Sequence, residues 1–226
     1  MVPPRAALSV DVEFFSHMPA YRGASGTTDQ RAVGLDGLHH LLGALADTGH
    51  TGTFFTVSEI ADTHPDAVRR ITERNELASH TATHRHLSEL SLDERRTELA
   101  DSKATLKEAS GADVRGFRAP SFDFAADHFD LLAETGYDYD SSIVPSRSIP
   151  GWYGGEYDLD RPAPATQVDP EAPPALAQLP ASVMPGVRLP LTGTWLRFFG
   201  PRYTIAGMGW LARRNIAPVL YVHPWE

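Results

Sequence analysis

The chain contains no cysteine. No disulfide can hold its fold, and any metal it binds must be held by histidine and carboxylate. No uninterrupted apolar run reaches the roughly 18 residues that a membrane-spanning helix needs. Positive charge is scarce. The 20 Lys and Arg stand against 29 Asp and Glu, for a net charge of -9. That balance argues against nucleic acid or an anionic membrane as the main partner. Residues 1–7 are too short and too rich in proline to form an export signal, so a cytoplasmic location is the default expectation. Internal repeats and low-complexity tracts are also lacking.

The 42% of apolar residues in 226 supports one large domain over residues 1–226 with a substantial core. Residues 7–14 read as a buried strand. Leu35, Leu38, Leu41, Leu42 and Leu45 recur at helical spacing, and Gly49 ends that helix. Residues 51–57 form a β-rich run, 64–74 a short helix with Pro65 in its first turn, and 76–79 a short strand. Ser91-Leu-Asp-Glu is a capping-box sequence opening a charged helix that runs to Ser110 and stops at Gly111. A strand at 114–118, a helix at 125–135 and a strand at 137–141 follow. Ten of the 18 prolines lie between Pro145 and Pro190, which predicts loop with short extended pieces at 177–179 and 187–191. A helix at 205–214 and a last strand at 218–223 complete the chain.

Alternating strands and helices predict parallel strands with helical crossovers. The α/β class best suited is a distorted (β/α) barrel, complete or incomplete. Asp11, Glu13, His80, His84, Arg118, Asp140 and His223 all fall at the C-terminal ends of predicted strands. That rim is where parallel barrels build their chemistry.

His80-Thr-Ala-Thr-His84 places two imidazoles four residues apart, close enough to share one metal ion. It lacks the Glu of the His-Glu-x-x-His motif, so a catalytic base must come from elsewhere. Asp11 and Glu13 alternate on one strand and point to one face. Two inward carboxylates are costly unless a cation or hydrogen bonds compensate. One can bind metal while the other stays free as a base. Arg118, in Phe-Arg-Ala-Pro, suits a planar fork holding a carboxylate. Asp140 is placed to orient a histidine or Arg118, or to cap the next turn. His223, in Tyr-Val-His-Pro-Trp-Glu, is a candidate general acid. His86 reads as a surface residue or a partner of the metal-facing histidines. Trp152, Tyr153, Trp195 and Trp225 are candidates for an aromatic sugar platform.

Taken in order, these segments resemble the NodB-homology polysaccharide deacetylases over nearly the whole chain, 8–226. His80-Thr81-Ala-Thr-His84 matches the family's His-Ser/Thr-x-x-His, Arg118-Ala-Pro120 its Arg-x-Pro, and His223 its final histidine. Asp-Val-Glu, Arg-Ala-Pro-Ser-Phe, Tyr-Asp-Ser-Ser and His-Pro-Trp-Glu together resemble an exopolysaccharide-associated subgroup. The resemblance implies a divalent metal, most often zinc, with cobalt and nickel as alternatives. It implies an acetylated sugar or glycan as substrate. It further implies His80 and His84 as ligands, Asp11 as base, Arg118 orienting Asp11, His223 as acid, and a backbone N–H near Ser121 facing the oxyanion.

Three departures carry expectations of their own. Val12 stands where the family has a metal-binding Asp, so Glu13 is expected to replace that ligand. Ser121 stands where the family has an aromatic. The chain ends three residues after His223, so the site is expected to be less enclosed or completed by a second chain. Two rival readings are a metal-independent amidohydrolase of the allantoinase kind and a non-catalytic carbohydrate-binding protein.

Overall fold

The computed structural model describes residues 5–18, 31–148 and 154–226. Its centre is one sheet of eight strands in the order β6-β7-β5-β4-β3-β2-β1-β8. The strands are β1 (Ala7–Val12), β2 (Thr53–Thr56), β3 (Glu76–Ser79), β4 (Gly116–Phe117), β5 (Tyr139–Asp140), β6 (Ala163–Pro164), β7 (Ala177–Gln178) and β8 (Val219–Val222). All pairings are parallel except β6 with β7. The helices are α1 (Arg31–Thr48), α2 (Glu59–Thr63), α3 (Pro65–Thr72), α4 (Leu92–Ser110), α5 (His128–Thr135), α6 (Gly193–Phe199) and α7 (Pro201–Arg213). The fold is the curled, barrel-type α/β architecture that the alternation predicts.

The ladder leaves the sheet open, and irregular backbone bridges its two edges. The chain leaving β7 bonds to the β5 side through Leu179 N–H to Asp140 O (2.8 Å) and Ala181 N–H to Ile143 O (2.9 Å). One residue later Ser182 N–H reaches Val219 O on β8 (3.0 Å). A proline-rich segment therefore completes the ring with a few bonds instead of a regular strand, because proline cannot donate to a ladder.

Local chemistry sets several boundaries. Ser91 and Glu94 form a reciprocal cap on α4, and Gly111, with φ 71°, ends it in the left-handed conformation. Leu99 and Leu106 on that helix are buried in the main core with Val10, Val12, Phe54 and Leu77.

Two expectations need correction. Residues 187–191 are not a strand. Arg188 has φ 54° and its N–H bonds Met184 O (2.9 Å), making a tight turn with a single bridge between Val183 and Pro190. The short strand β6 lies in the region predicted to be loop, and helices α2 and α6 lie where no element is predicted.

Candidate active site

β1 lies between β2 and β8. Its alternation buries Val10 and Val12 in the core and sends Ser9 and Asp11 to the opposite face. Glu13, one residue past the strand, returns to the Asp11 side. Both acids are buried, with 2% and 3% of their surface exposed. Val12 is fully buried among apolar side chains, so it cannot be a ligand.

The histidine pair follows β3 directly. His80 N–H bonds Thr56 O (3.0 Å), carrying the ladder one residue beyond the strand. The turn from 80 to 84 then takes left-handed backbone at Thr81 (φ 65°) and His84 (φ 61°). Non-glycine residues adopt that region at a cost, and the surrounding bonds must hold them there. Glu98 on α4 does so, accepting from Ala82 N–H (2.9 Å), Thr83 N–H (3.0 Å) and Thr83 Oγ1 (2.5 Å). Thr81 Oγ1 also accepts from His84 N–H (3.0 Å).

Ligand-type atoms of Glu13, His80 and His84 lie within 4.8 Å of one another, all buried. Second partners set the ring orientations. His80 Nδ1 lies 2.7 Å from Arg118 O, and His84 Nδ1 lies 3.2 Å from His17 O. A carbonyl only accepts, so each Nδ1 carries a proton, and each Nε2 is the nitrogen turned to the shared space. His84 Nε2 abuts Glu13 Oε2, yet no donor meets that oxygen at hydrogen-bonding geometry. A ring nitrogen and a carboxylate oxygen this close in a buried space need a cation between them, which a shared proton or a bound metal ion supplies.

The charge states agree with this. Burial holds His80 down to about 4 against the opposing pull of Asp11, so at neutral pH it is the neutral imidazole that a metal requires. Burial alone would raise Glu13, but His84, His223 and His80 hold it down to about 2, so it is ionised.

Arg118 is fully buried and spends its fork on the site. Nη1 donates to Asp11 Oδ1 (2.7 Å), Nη2 to Ser9 Oγ (3.0 Å) and Ser141 Oγ (2.7 Å), and Nε to Ser141 O (3.1 Å). The guanidinium lies over the Phe55 ring at 4.1 Å. Asp11 Oδ2 is left 3.5 Å from His80 Nε2.

His223 follows β8 on the other side of Glu13. Its Nε2 lies 3.4 Å from Glu13 Oε1 and 2.6 Å from the Tyr221 hydroxyl. Glu226 Oε2 accepts from His223 N–H (2.9 Å) and lies 3.2 Å from Nδ1. Burial would lower its pKa, but Glu226, Glu13 and Asp11 together raise it above the ordinary imidazole value.

Asp140 resolves to two of its three expected roles. It pairs with His128 Nε2 (3.2 Å) and caps the turn by accepting from Ser142 N–H (3.0 Å), while Arg118 turns to Asp11 instead. His86 reaches Ser121 Oγ (3.1 Å). Ser121 and Phe122 have consecutive left-handed backbone, with φ 54° and 59°. They wall a cleft of ≈ 340 Å³ with Phe124, Ser142 and Tyr157. The Phe122 N–H is committed to Ala119 O (3.0 Å). Trp225 stacks on His223 at 4.3 Å and Trp195 on Phe199 at 5.5 Å, so these two serve different neighbours. Trp152 and Tyr153 lie outside the described residues.

Residues 29–139 match the family profile described as "Polysaccharide deacetylase". Residues 141–226 match a domain of unknown function, DUF3473. A Mycobacterium smegmatis structure assigned to the polysaccharide deacetylases is similar at 25% identity, TM-score 0.77, covering 99% of this chain and 78% of that one. The chain belongs to the NodB-homology polysaccharide deacetylase family. It is a carbohydrate deacetylase, a hydrolase.

The deacetylase fold also resembles an allantoinase (17% identity, TM-score 0.69, 98% of this chain and 78% of that one). A Bacillus anthracis pseudoenzyme of carbohydrate esterase family 4 is similar at 15% identity and TM-score 0.58. It is matched over 99% of this chain and 56% of its own length. One fold thus accompanies a deacetylase, an allantoinase and a pseudoenzyme, and the side chains decide the chemistry. The two matched segments meet at Asp140, and both contribute strands to one sheet.

Several residues at the candidate site are not singled out in the sequence analysis above. Glu226 could have been found three residues after His223 in His-Pro-Trp-Glu, and Ser9 two residues before Asp11 on the same strand face. Ser141, Glu98 and Tyr221 gave weaker signals. His17 acts on His84 through its backbone carbonyl, which no residue pattern announces.

Proposed function

We propose that residues 1–226 act as one domain that removes acetyl groups from an N-acetylated sugar or polysaccharide with the help of a divalent metal. Glu13, His80 and His84 would hold the ion. Two imidazoles and one carboxylate form a borderline donor set suited to zinc, and also to cobalt or nickel. When bound, the ion supplies Lewis-acid polarisation of the acetyl carbonyl and lowers the pKa of water.

The remaining roles belong to the chain's own groups. Asp11 is the base: Oδ1 is occupied by Arg118, and Oδ2 faces the shared space beside His80. Arg118 is a positioning residue that fixes the carboxylate plane. His223 is the acid. Glu226 anchors its Nδ1 side while Nε2 faces Glu13, so the proton delivered to the leaving amine sits on Nε2. The carboxyl-terminal DUF3473 match, with the His-Pro-Trp-Glu ending, supports an exopolysaccharide or its precursor as the substrate.

The observation that carries this reading is the buried convergence of Glu13, His80 and His84 within 4.8 Å, with both imidazoles oriented from behind by backbone carbonyls. The test is acetate release from acetylated sugar oligomers, with and without a chelator. Release that the chelator stops and zinc restores supports the reading. Release indifferent to chelation would favour the metal-independent amidohydrolase. Glycan binding without release, unchanged in Asp11→Asn, would favour a binding protein.

A further inference from the structure

Charge is unevenly distributed along the chain. No Asp or Glu occurs from Ala172 to Trp225, a stretch that carries five Arg in a protein of net charge -9. The exposed part of this stretch is the α6–α7 hairpin. Its Arg197, Arg202, Arg213 and Arg214 are all exposed.

The same hairpin presents large apolar groups to solvent. Phe198 is 78% exposed, Ile205 68% and Trp210 48%, and Phe199 is also exposed. Along α7 these groups fall on one stripe. Arg202, Ile205, Ala206, Trp210 and Arg213 are exposed at helical spacing, while Thr204, Gly207 and Leu211 are buried beneath. A Cβ on Gly207 would come within 2.8 Å of Leu191, so the inward face is closely packed and the outward stripe is not a core face displaced. Val187, in the adjacent turn, is half exposed on the side of Trp210.

We propose that the α6–α7 hairpin docks on an anionic lipid surface, with Phe198, Ile205 and Trp210 entering the headgroup boundary and the flanking arginines pairing with lipid phosphates. Aromatic and aliphatic tips framed by Arg, with no acid in the segment, are what an interfacial helix requires. Arg can lay its stem along the apolar stripe and keep its head among phosphates. No helix among the described residues is long and apolar enough to cross a membrane, so the hairpin would lie in the interface plane. A second copy of this chain fits less well, because a two-fold contact would bring two arginine-bearing faces together with no acid from α6 or α7 between them. Asp36 and Glu226 share a cleft with Arg197 at the inner end of the hairpin, away from the α7 stripe. Asp158 and Asp160 likewise share a cleft with Arg214, so the arginines left for the lipid are Arg202 and Arg213, which flank the apolar stripe. This inference does not depend on the deacetylase mechanism.

The test is sedimentation of the whole chain with vesicles of phosphatidylcholine alone and of phosphatidylcholine mixed with phosphatidylglycerol. The expected result is binding to the mixed vesicles only, weakened by salt. Arg202→Gln and Arg213→Gln should each weaken it roughly fivefold. Phe198→Ser with Ile205→Ser should abolish it without changing the thermal melt, since both side chains are exposed. Failure to bind the mixed vesicles, or full binding by the Phe198→Ser/Ile205→Ser variant, would overturn the proposal. So would a dimer in analytical ultracentrifugation that this variant converts to monomer, because the face would then belong to a second copy.

Discussion

Arg118 Nη1 donates to Asp11 Oδ1 at 2.7 Å, and the Arg118 carbonyl lies 2.7 Å from His80 Nδ1. One residue thus orients the proposed base with its side chain and a proposed ligand with its backbone. The side chain is replaceable by mutation, whereas the carbonyl is not.

Arg118→Lys should therefore separate the two functions. Lysine keeps the charge but loses the fork that spans Asp11, Ser9 and Ser141. The expected result is a fall of about 10–100-fold in kcat with metal content retained. Arg118→Ala should also cost about 3–5 kcal/mol of stability, because a buried carboxylate loses its partner. Steady-state kinetics beside chemical denaturation would check both, and unchanged kcat in Arg118→Lys would remove the positioning role.

Glu226 predicts a pH effect. His223 is raised above the ordinary imidazole value, burial opposing and Glu226 leading the groups that raise it. An acid must be protonated to act, so activity should fall as pH rises through its pKa. In Glu226→Gln one supporting charge is gone, and the alkaline limb of kcat against pH should move to lower pH. A limb that stays in place would mean that His223 is not the titrating acid.

Asp140 predicts a pH-dependent stability unrelated to catalysis. Burial would raise its carboxyl, but His128 and the bonds from Ser142 hold it below the ordinary range. Its contribution is therefore present above the unfolded carboxyl pKa of about 4 and is lost as pH falls through the folded value. Asp140→Asn should cost about 1–3 kcal/mol at neutral pH. The gap to wild type should close in acid, as followed by urea denaturation across pH. A gap that is constant with pH would contradict the ionic role.

Much of the scaffold was legible because its signals are local. Asp-Val-Glu alternates across β1, β3 matches its predicted bounds of 76 and 79, and Ser91 and Gly111 mark both ends of α4. Where the fold depends on distant partners, the sequence was silent. The segment that joins β7 to β8 is held by bonds to Ile143, which follows β5, and to Val219 on β8. At Arg188 the apolar neighbours predict a strand, while the left-handed backbone there is accompanied by long-range bonds to Pro145 and Tyr157. The candidate site shows the same division. Its charged side chains stand in short motifs at strand ends, whereas the carbonyls of Arg118 and His17 that aim the two imidazoles could not be read from residue types.

The metal reading makes the most direct demand on experiment. Elemental analysis of gently purified wild type, Glu13→Ala and His84→Ala would test it without choosing a substrate. The account predicts about one divalent ion per chain in wild type and little in either variant. No bound ion in wild type, even after zinc is supplied and the excess removed, would contradict it.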